Sequence, residues 1–111
     1  MTDAGIVHIV DDDAPLRAAL SSLFRSVGLD TLVYAEAATF LAAPKSDRAG
    51  CLVLDIRLPG LNGLDLQEQL AKSDVLLPVI LMTGHGDVPM SVRGMKAGAV
   101  DFLTKPFRDQ D

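Results

Sequence analysis

The segment Ile6-Val7-His8-Ile9-Val10-Asp11-Asp12-Asp13 decides the fold of this 111-residue chain. Its first five residues are almost continuously apolar, which is typical of a strand buried on both faces of a parallel sheet. Three consecutive acids follow, and an acid placed just before a helix is a common N-cap. The segment therefore predicts a central strand whose carboxyl end carries negative charge.

The rest of the chain alternates short apolar runs with helical patterns. Interior strands are predicted at residues 51–54 and 79–82, and strands nearer the sheet edges at residues 31–35 and 100–103. Four helices are predicted between the strands, over about 14–27, 36–43, 64–72 and 88–98. Right-handed crossovers then give an α/β fold of the flavodoxin-like type, a doubly wound five-stranded parallel sheet of order 2-1-3-4-5.

The first helix is predicted in most detail. Asp13 is expected to be its N-cap, and Gly28 is expected to end it. Its apolar residues recur at helical spacing, so one stripe is expected to face the sheet, made of Leu16, Leu20, Leu23, Phe24 and Val27.

Composition predicts a single soluble domain. No apolar run approaches the roughly 20 residues of a membrane span. The one cysteine, Cys51, cannot form an internal disulfide, so a reducing compartment, the cytoplasm, is expected. A net charge of −5 argues against nucleic-acid binding by these residues, because phosphate backbones need clustered Lys and Arg.

Chemically active side chains lie where the predicted strands end. Asp11 and Asp12 follow strand 1, Asp55 ends strand 3, Thr83 ends strand 4 and Lys105 follows strand 5. In open α/β sheets the ligand site lies beyond the carboxyl ends of the central strands. We therefore expect these five side chains to share one site.

The three aspartates predict a cation. Carboxylates about 4 Å apart repel by about 4 kcal/mol in a partly shielded site, so Asp11, Asp12 and Asp55 should gather only around a positive ion. Oxygen ligands favour a hard cation, and Mg²⁺ is the usual choice. Lys105 adds a second positive charge and Thr83 a hydroxyl. Together with a carboxylate nucleophile, this set suits phosphoryl transfer.

Four segments are similar to the signature segments of response-regulator receivers, which belong to the CheY-like superfamily. They are Val-Asp-Asp-Asp at 10–13, Leu-Asp-Ile-Arg-Leu-Pro-Gly-Leu-Asn-Gly at 54–63, Met-Thr-Gly at 82–84 and Lys-Pro-Phe at 105–107. The likeness covers about residues 6–107. It implies a two-component phosphorelay switch that catalyses its own phosphorylation and dephosphorylation, rather than an enzyme with an outside substrate.

The resemblance implies a role for each matching site residue. Asp55 would be the phosphoacceptor that attacks a kinase phosphohistidine, and Lys105 would hold a phosphoryl oxygen. Asp12, Asp55 and the backbone carbonyl of Arg57 would be Mg²⁺ ligands, with Asp11 acting mainly through water. Mn²⁺ is expected to substitute for Mg²⁺.

Other positions are implied to transmit the signal. Thr83 and Phe102 resemble the switch pair, whose hydroxyl moves toward the phosphoryl group while the ring turns inward and reshapes the face of helix 4 and strand 5. Gly84 would leave a path to the acyl phosphate. The Lys105–Pro106 bond is expected to be cis.

Two histidines and the cysteine have less specific interpretations. His85 is expected to be a loop side chain that flanks the site with Arg57 and tunes the lifetime of the phosphorylated state, rather than a metal ligand. His8, inside strand 1, is expected to be a hydrogen-bonded core residue. Cys51 is expected to be a small buried strand residue.

Residues 83–90 and 95–102 look like those of the FixJ-type subgroup, whose receivers usually join a LuxR-type DNA-binding domain. DNA would then be bound only through an output domain that these residues do not include. The alternative is a receiver of a sigma-54-activating regulator, which has a similar loop. The implied partners are a sensor histidine kinase and a second copy, docked through the helix 4/strand 5 face or through an uncovered sheet face. No membrane partner is implied.

Three other classes compete on the residues alone. An aspartate-nucleophile phosphatase commonly has a second Asp two residues after the nucleophile, where this chain has Arg57. A flavodoxin-like cofactor binder needs a Ser/Thr/Gly-rich loop after strand 1, where three acids would repel the phosphate of FMN. A receiver lookalike that binds partners without phosphorylation would carry the same residues as a true receiver.

A receiver normally continues into a fifth helix, and the four residues after Phe107 are too few to form one. We therefore expect residues 1–111 to be a receiver truncated before its last helix, with apolar surface bare on strands 1, 3 and 5. The expected result is self-association or reduced stability, measured by light scattering or sedimentation. A strictly monomeric and highly stable chain would contradict this hypothesis.

Overall fold

A computed structural model describes residues 5–43, 49–58, 60, 62–72, 77–84 and 88–105. The elements in chain order are β1 (Ile6–Val10), α1 (Ala14–Ser26), β2 (Asp30–Tyr34), α2 (Ala37–Ala42), β3 (Gly50–Asp55), α3 (Gly63–Lys72), β4 (Val79–Thr83), α4 (Val88–Lys96) and β5 (Asp101–Thr104). The predicted bounds differ from these by two residues at most. No helix in this part of the chain combines the length and the apolar character needed to cross a membrane.

The five strands form one parallel sheet in the order β2-β1-β3-β4-β5, which confirms the predicted topology. Every residue of β1 is buried, as are the last four of β3, because both strands are covered on both faces. β2 and β5 lie at the sheet edges, and all four residues of β5 are exposed. The nearly continuous apolar runs thus correspond to the interior strands.

The ends of α1 are those that the sequence predicts. The Asp13 carboxylate accepts a hydrogen bond from the Leu16 backbone N–H at 3.2 Å, which satisfies one of the free donors of the first turn. Gly28 has a φ of +90°, a left-handed conformation that favours glycine and ends the helix.

The apolar stripe predicted for α1 is narrower than expected. Leu20 and Phe24 pack on the sheet beside β1 and β3, but Leu23 and Val27 are exposed, so the prediction is wrong for these two residues. Val27 is the C-cap, past the last helical residue of α1, and Leu23 lies at the margin of the stripe opposite Phe24.

The core lies on both faces of the sheet. The larger part packs beneath α2, α3 and α4, and the smaller part beneath α1. His8 lies in the larger part, buried, with its Nδ1 3.1 Å from the Tyr34 hydroxyl in a hydrogen bond, which confirms it as a core histidine. Cys51 is only half-buried, because it lies on the α1 face beyond the cover of that helix, and its predicted burial is corrected accordingly.

Apolar side chains of strands 1 and 3 on the α1 face are covered, contrary to the missing-helix hypothesis. Val7 and Ile9 of β1 and Val53 of β3 are buried, because Leu20 and Phe24 of α1 cover them. The expectation of bare surface is therefore wrong for strand 1 and for most of strand 3. On strand 5, Leu103 is exposed as expected.

The start of α3 is pressed against the backbone at the end of β3. A Cβ on Gly63 would overlap the Asp55 carbonyl oxygen and lie 2.8 Å from the Ile56 Cα, and neither atom belongs to a movable side chain. Gly63→Ala is expected to lower the free energy of unfolding by about 2–3 kcal/mol in chemical denaturation, although Ala is the better helix former.

The matched control is Gly28→Ala, where a Cβ meets nothing within 4 Å and only the positive φ opposes it. This variant is expected to lose about 1 kcal/mol. A Gly63→Ala loss no larger than the Gly28→Ala loss would contradict the close contact with β3.

Candidate functional site

The carboxyl ends of β1, β3, β4 and β5 bring the predicted site residues to one edge of the sheet. Asp11 directly follows β1, Asp55 and Thr83 are the last residues of β3 and β4, and Lys105 directly follows β5. The backbone N–H of Lys105 donates to the carbonyl of Thr83 at 2.8 Å, which fixes where the lysine leaves the sheet. Four separate chain segments therefore supply one site.

A buried ion pair lies at the centre of the site. Lys105 Nζ donates to Asp55 Oδ2 at 2.9 Å and lies 3.1 Å from Asp11 Oδ2. Asp11 is 0% exposed and Asp55 2%, so both carboxylates are shielded from water and interact strongly with the ammonium. The lysine thus bridges the first and third strands.

The sequence identified these three residues but missed the contact between Lys105 and Asp11. β1 and β5 are separated by β3 and β4 in the sheet, so strand pairing gives no hint of it. The available signal was the length of the lysine side chain, whose flexible four-carbon stem can carry its ammonium over the sheet edge toward the central strands.

Asp11 is fixed by its neighbours on three sides. Its Oδ1 accepts from the Asp13 backbone N–H at 2.8 Å, and its backbone carbonyl accepts from Arg17 Nη1 at 2.7 Å. Its Oδ2 is buried and accepts no hydrogen bond from the described residues, since the ammonium of Lys105 lies within ion-pair distance but outside hydrogen-bond geometry. Arg17 is a supporting residue that sequence reasoning missed, because an arginine in a first helical turn is common surface.

The residues present fit a hard divalent cation. Carboxylate oxygens of Asp11, Asp12 and Asp55 all lie within 4.8 Å of one another, and Asp12 is exposed, so solvent reaches the cluster from that side. One ammonium cannot neutralise three carboxylates, and among the described residues the buried Asp11 Oδ2 has an ion-pair partner in Lys105 but no well-aligned hydrogen-bond donor. Oxygen ligands of this kind suit Mg²⁺, as the sequence predicts.

Burial dominates the electrostatics of Asp55. Removal from water raises the pKa of its carboxyl group to about 6, and the hydrogen bond from Lys105, the nearby Asp11 charge and the Arg57 backbone N–H only adjust this value. Burial alone would lower the pKa of Lys105, but its interactions with Asp55 and Asp11 outweigh that effect and raise it. The pKa of Asp55 therefore rises through burial, and the pKa of Lys105 rises through its two carboxylate partners.

The remaining predicted residues lie around this centre. Arg57 is exposed, and its backbone N–H donates to Asp55 Oδ1 at 3.1 Å. Thr83 is buried and Gly84 half-buried. The Phe102 side chain is 42% exposed on β5. His85 and Pro106, with the predicted cis bond, lie outside the described residues.

The fold and the site together define a CheY-like domain, an α/β sheet of order 2-1-3-4-5 with an acidic, lysine-bridged pocket at its carboxyl edge. The family model described as the response regulator receiver domain matches residues 7–111. The chain belongs to that family. Receiver domains are signalling switches of two-component phosphorelays, in which response regulators receive phosphoryl groups from sensor histidine kinases.

Named relatives confirm the FixJ-type resemblance. "Nodulation protein W" of Bradyrhizobium diazoefficiens is 55% identical over 106 residues, which cover 96% of this chain and 47% of the relative. "Transcriptional regulatory protein FixJ" of Rhizobium meliloti is 46% identical over 109 residues, which cover 98% of this chain and 53% of the relative. The crystal structure of "FIXJ-N" superposes with a TM-score of 0.85 at 44% identity. The match covers 99% of this chain and 87% of that structure's chain. The chain spans about half the length of the curated relatives that it matches.

The raised pKa of Asp55 predicts a pH-dependent stability. A carboxyl group with a pKa near 6 in the folded state and 3.8 when exposed binds its proton more tightly in the folded protein. Its ionisation therefore destabilises the fold as the pH rises from about 4 to 6. Without divalent ions at neutral pH, Asp55→Asn is expected to raise the free energy of unfolding by about 3 kcal/mol, at about 1.4 kcal/mol per pKa unit over the rise from 3.8 to about 6.

Denaturant unfolding at several pH values measures this gain, which should shrink as the pH falls from 6 toward 4. Glu68→Gln, which removes one exposed charge from α3, is the control and is expected to change stability little. A gain for Asp55→Asn that grew at lower pH would contradict the assignment.

Proposed function

We propose that Asp55 accepts a phosphoryl group from the phosphohistidine of a sensor kinase, in a reaction that requires a divalent cation. The observation that carries this proposal is the Lys105 ammonium 2.9 Å from Asp55 Oδ2, beside a cluster of three carboxylates. A carboxylate nucleophile next to fixed positive charge is what phosphoryl transfer requires of a protein.

The proposed reaction forms one bond and breaks one. A carboxylate oxygen of Asp55 attacks phosphorus, the phosphorus–nitrogen bond breaks, and the imidazole leaves with the electron pair. The ammonium of Lys105 moves with little reorganisation from the carboxylate to the phosphoryl oxygens, where negative charge is spread in the transition state. The Thr83 hydroxyl, buried at the same edge, is proposed to hydrogen-bond a phosphoryl oxygen. Water later hydrolyses the acyl phosphate, which resets the switch.

Asp12, Asp55 and the backbone carbonyl of Arg57 are proposed to hold Mg²⁺, with Asp11 acting mainly through water and Mn²⁺ able to substitute. Support comes from the clustered carboxylates and from the hydrogen bond that ties the Arg57 backbone to Asp55. When bound, the ion supplies positive charge to the phosphoryl oxygens and lowers the repulsion among the aspartates.

The proposed output of phosphorylation is a change on the face formed by α4 and β5, with Thr83 and Phe102 as the switch pair. The ring of Phe102 on β5 is half-exposed, and the apolar side chains of Val92 and Met95 are exposed on α4, which contacts β5. These exposed groups support the proposal that a second copy docks on this face. The sheet face beneath α1 is less favoured for docking, because its residues on β1 are already buried.

The proposed effector is a LuxR-type DNA-binding domain in the rest of the protein. The support comes from relatives that are 44% and 46% identical to this chain. They are named transcriptional regulatory proteins and are about twice its length. The receiver itself is not proposed to contact DNA, since its net charge is −5.

Incubation with acetyl phosphate and Mg²⁺ tests the central proposal. Intact mass spectrometry is expected to find one added phosphoryl group on the wild type and none on Asp55→Asn. Asp65→Asn, which alters an exposed acid in the first turn of α3, is the control and should be phosphorylated normally. A chelator should prevent the reaction.

A wild type that is folded but never phosphorylated would contradict the proposal and favour an interaction module that works without phosphorylation. Phosphorylation of Asp55→Asn at the wild-type level would show that another residue is the phosphoryl acceptor.

A further inference from the structure

Few of the described side chains of helix α4 are buried. Among them, Met90 is partly buried and packs against the core, while Pro89, Val92, Arg93, Met95 and Lys96 are exposed. The residue of α4 that is buried in the described part is Gly94, which has no side chain to contribute. The described side chains therefore add little apolar burial to hold this helix in place.

Gly94 allows α4 to approach the sheet and α3 closely. A Cβ at this position would overlap the Leu81 side chain and lie 3.5 Å from Gln67 Oε1. The close approach brings the Gly94 carbonyl within reach of α3, where it accepts a hydrogen bond from Gln67 Nε2 at 3.0 Å. The same carbonyl accepts a hydrogen bond from the Ala99 backbone N–H at 3.1 Å. The Gly94 carbonyl therefore links the end of α4 both to α3 and to the segment that follows α4.

Gln67 is an unusual residue for this interface. It is 5% exposed and lies on the buried stripe of α3 between Leu64 and Leu70, and its Oε1 accepts no hydrogen bond from the described residues. A partly satisfied buried amide stabilises a fold less than an apolar side chain of the same size. Its contribution is therefore one of position, because it fixes the distance between α3 and α4.

An open pocket lies beside this hydrogen bond. It has a volume of about 340 Å³ and is lined by Gln67, Leu70 and Ala71 of α3, by Ala97 and Gly98 after α4, and by Val79 of β4. The Gln67 hydrogen bond therefore joins α3 and α4 at the edge of a space that side chains do not fill.

We infer that Gln67 is a positioning residue that holds α4 in its unphosphorylated place, and that loss of its amide frees the helix. The regulatory consequence rests on the proposed function, in which phosphorylation at Asp55 reshapes the α4 face. If the phosphorylated arrangement moves α4, the Gln67–Gly94 hydrogen bond opposes that movement.

Hydrogen exchange measured by mass spectrometry tests the inference on the whole chain without metal or phosphoryl donor. Gln67→Met keeps the length of the side chain and removes its amide. Peptides covering α4 are expected to exchange about fivefold faster in this variant, the factor that one buried hydrogen bond carries. Peptides of β1 and α1 should be unchanged, which also verifies the fold.

Gln69→Met is the matched control, since Gln69 lies two residues away on the exposed side of the same helix. It should exchange like the wild type. Equal α4 exchange in Gln67→Met, Gln69→Met and the wild type would overturn the inference.

A second arm adds Mg²⁺ and beryllofluoride, a mimic of the phosphoryl group. Gln67→Met is expected to bind this mimic about fivefold more tightly than the wild type, because the opposing hydrogen bond is gone. Unchanged affinity would overturn the regulatory role. A folded wild type that does not bind the mimic would count instead against the proposed function, because the metal-free comparison does not depend on it.

Discussion

The partly buried ammonium of Lys105, shared by Asp11 and Asp55, is the interaction on which the rest of the site depends. Its two contacts, 3.1 and 2.9 Å long, join residues at the carboxyl ends of β5, β1 and β3, so they require the register of the whole sheet. A shift of one residue in β1 or β3 would turn its aspartate to the opposite face. The site therefore selects one register, and the apolar strands make that register stable.

The fold could be predicted because strands covered on both faces must be apolar at almost every position. β1 and the last four residues of β3 meet this condition, and their sequences show it without any alignment. The cover on α1 could not be predicted in the same way. Periodicity shows which face of a helix is apolar, but not how much of that face the sheet reaches, so the exposure of Leu23 and Val27 depends on tertiary structure.

The residue types of the site could be predicted from their places at strand ends, since parallel strands deliver their carboxyl ends to one edge. The pairing within the site could not, because it depends on side-chain reach across two intervening strands. Gln67 shows a different limit. An amide in an amphipathic helix resembles a polar-face residue, and only its spacing from Leu64 and Leu70 indicated that it lies on the buried stripe.

The distribution of burial determines which part of the domain can move. Leu52, Leu54 and Leu81 of the central strands are fully buried, and close-packed side chains of this kind do not shift without opening a cavity. α4 has no comparable anchor among its described side chains, since its buried residue is a glycine. A change of charge at the rigid edge can therefore be accommodated at α4 at lower cost than in the sheet. A domain built this way combines a site that needs fixed geometry with an adjacent helix whose described side chains are mostly exposed.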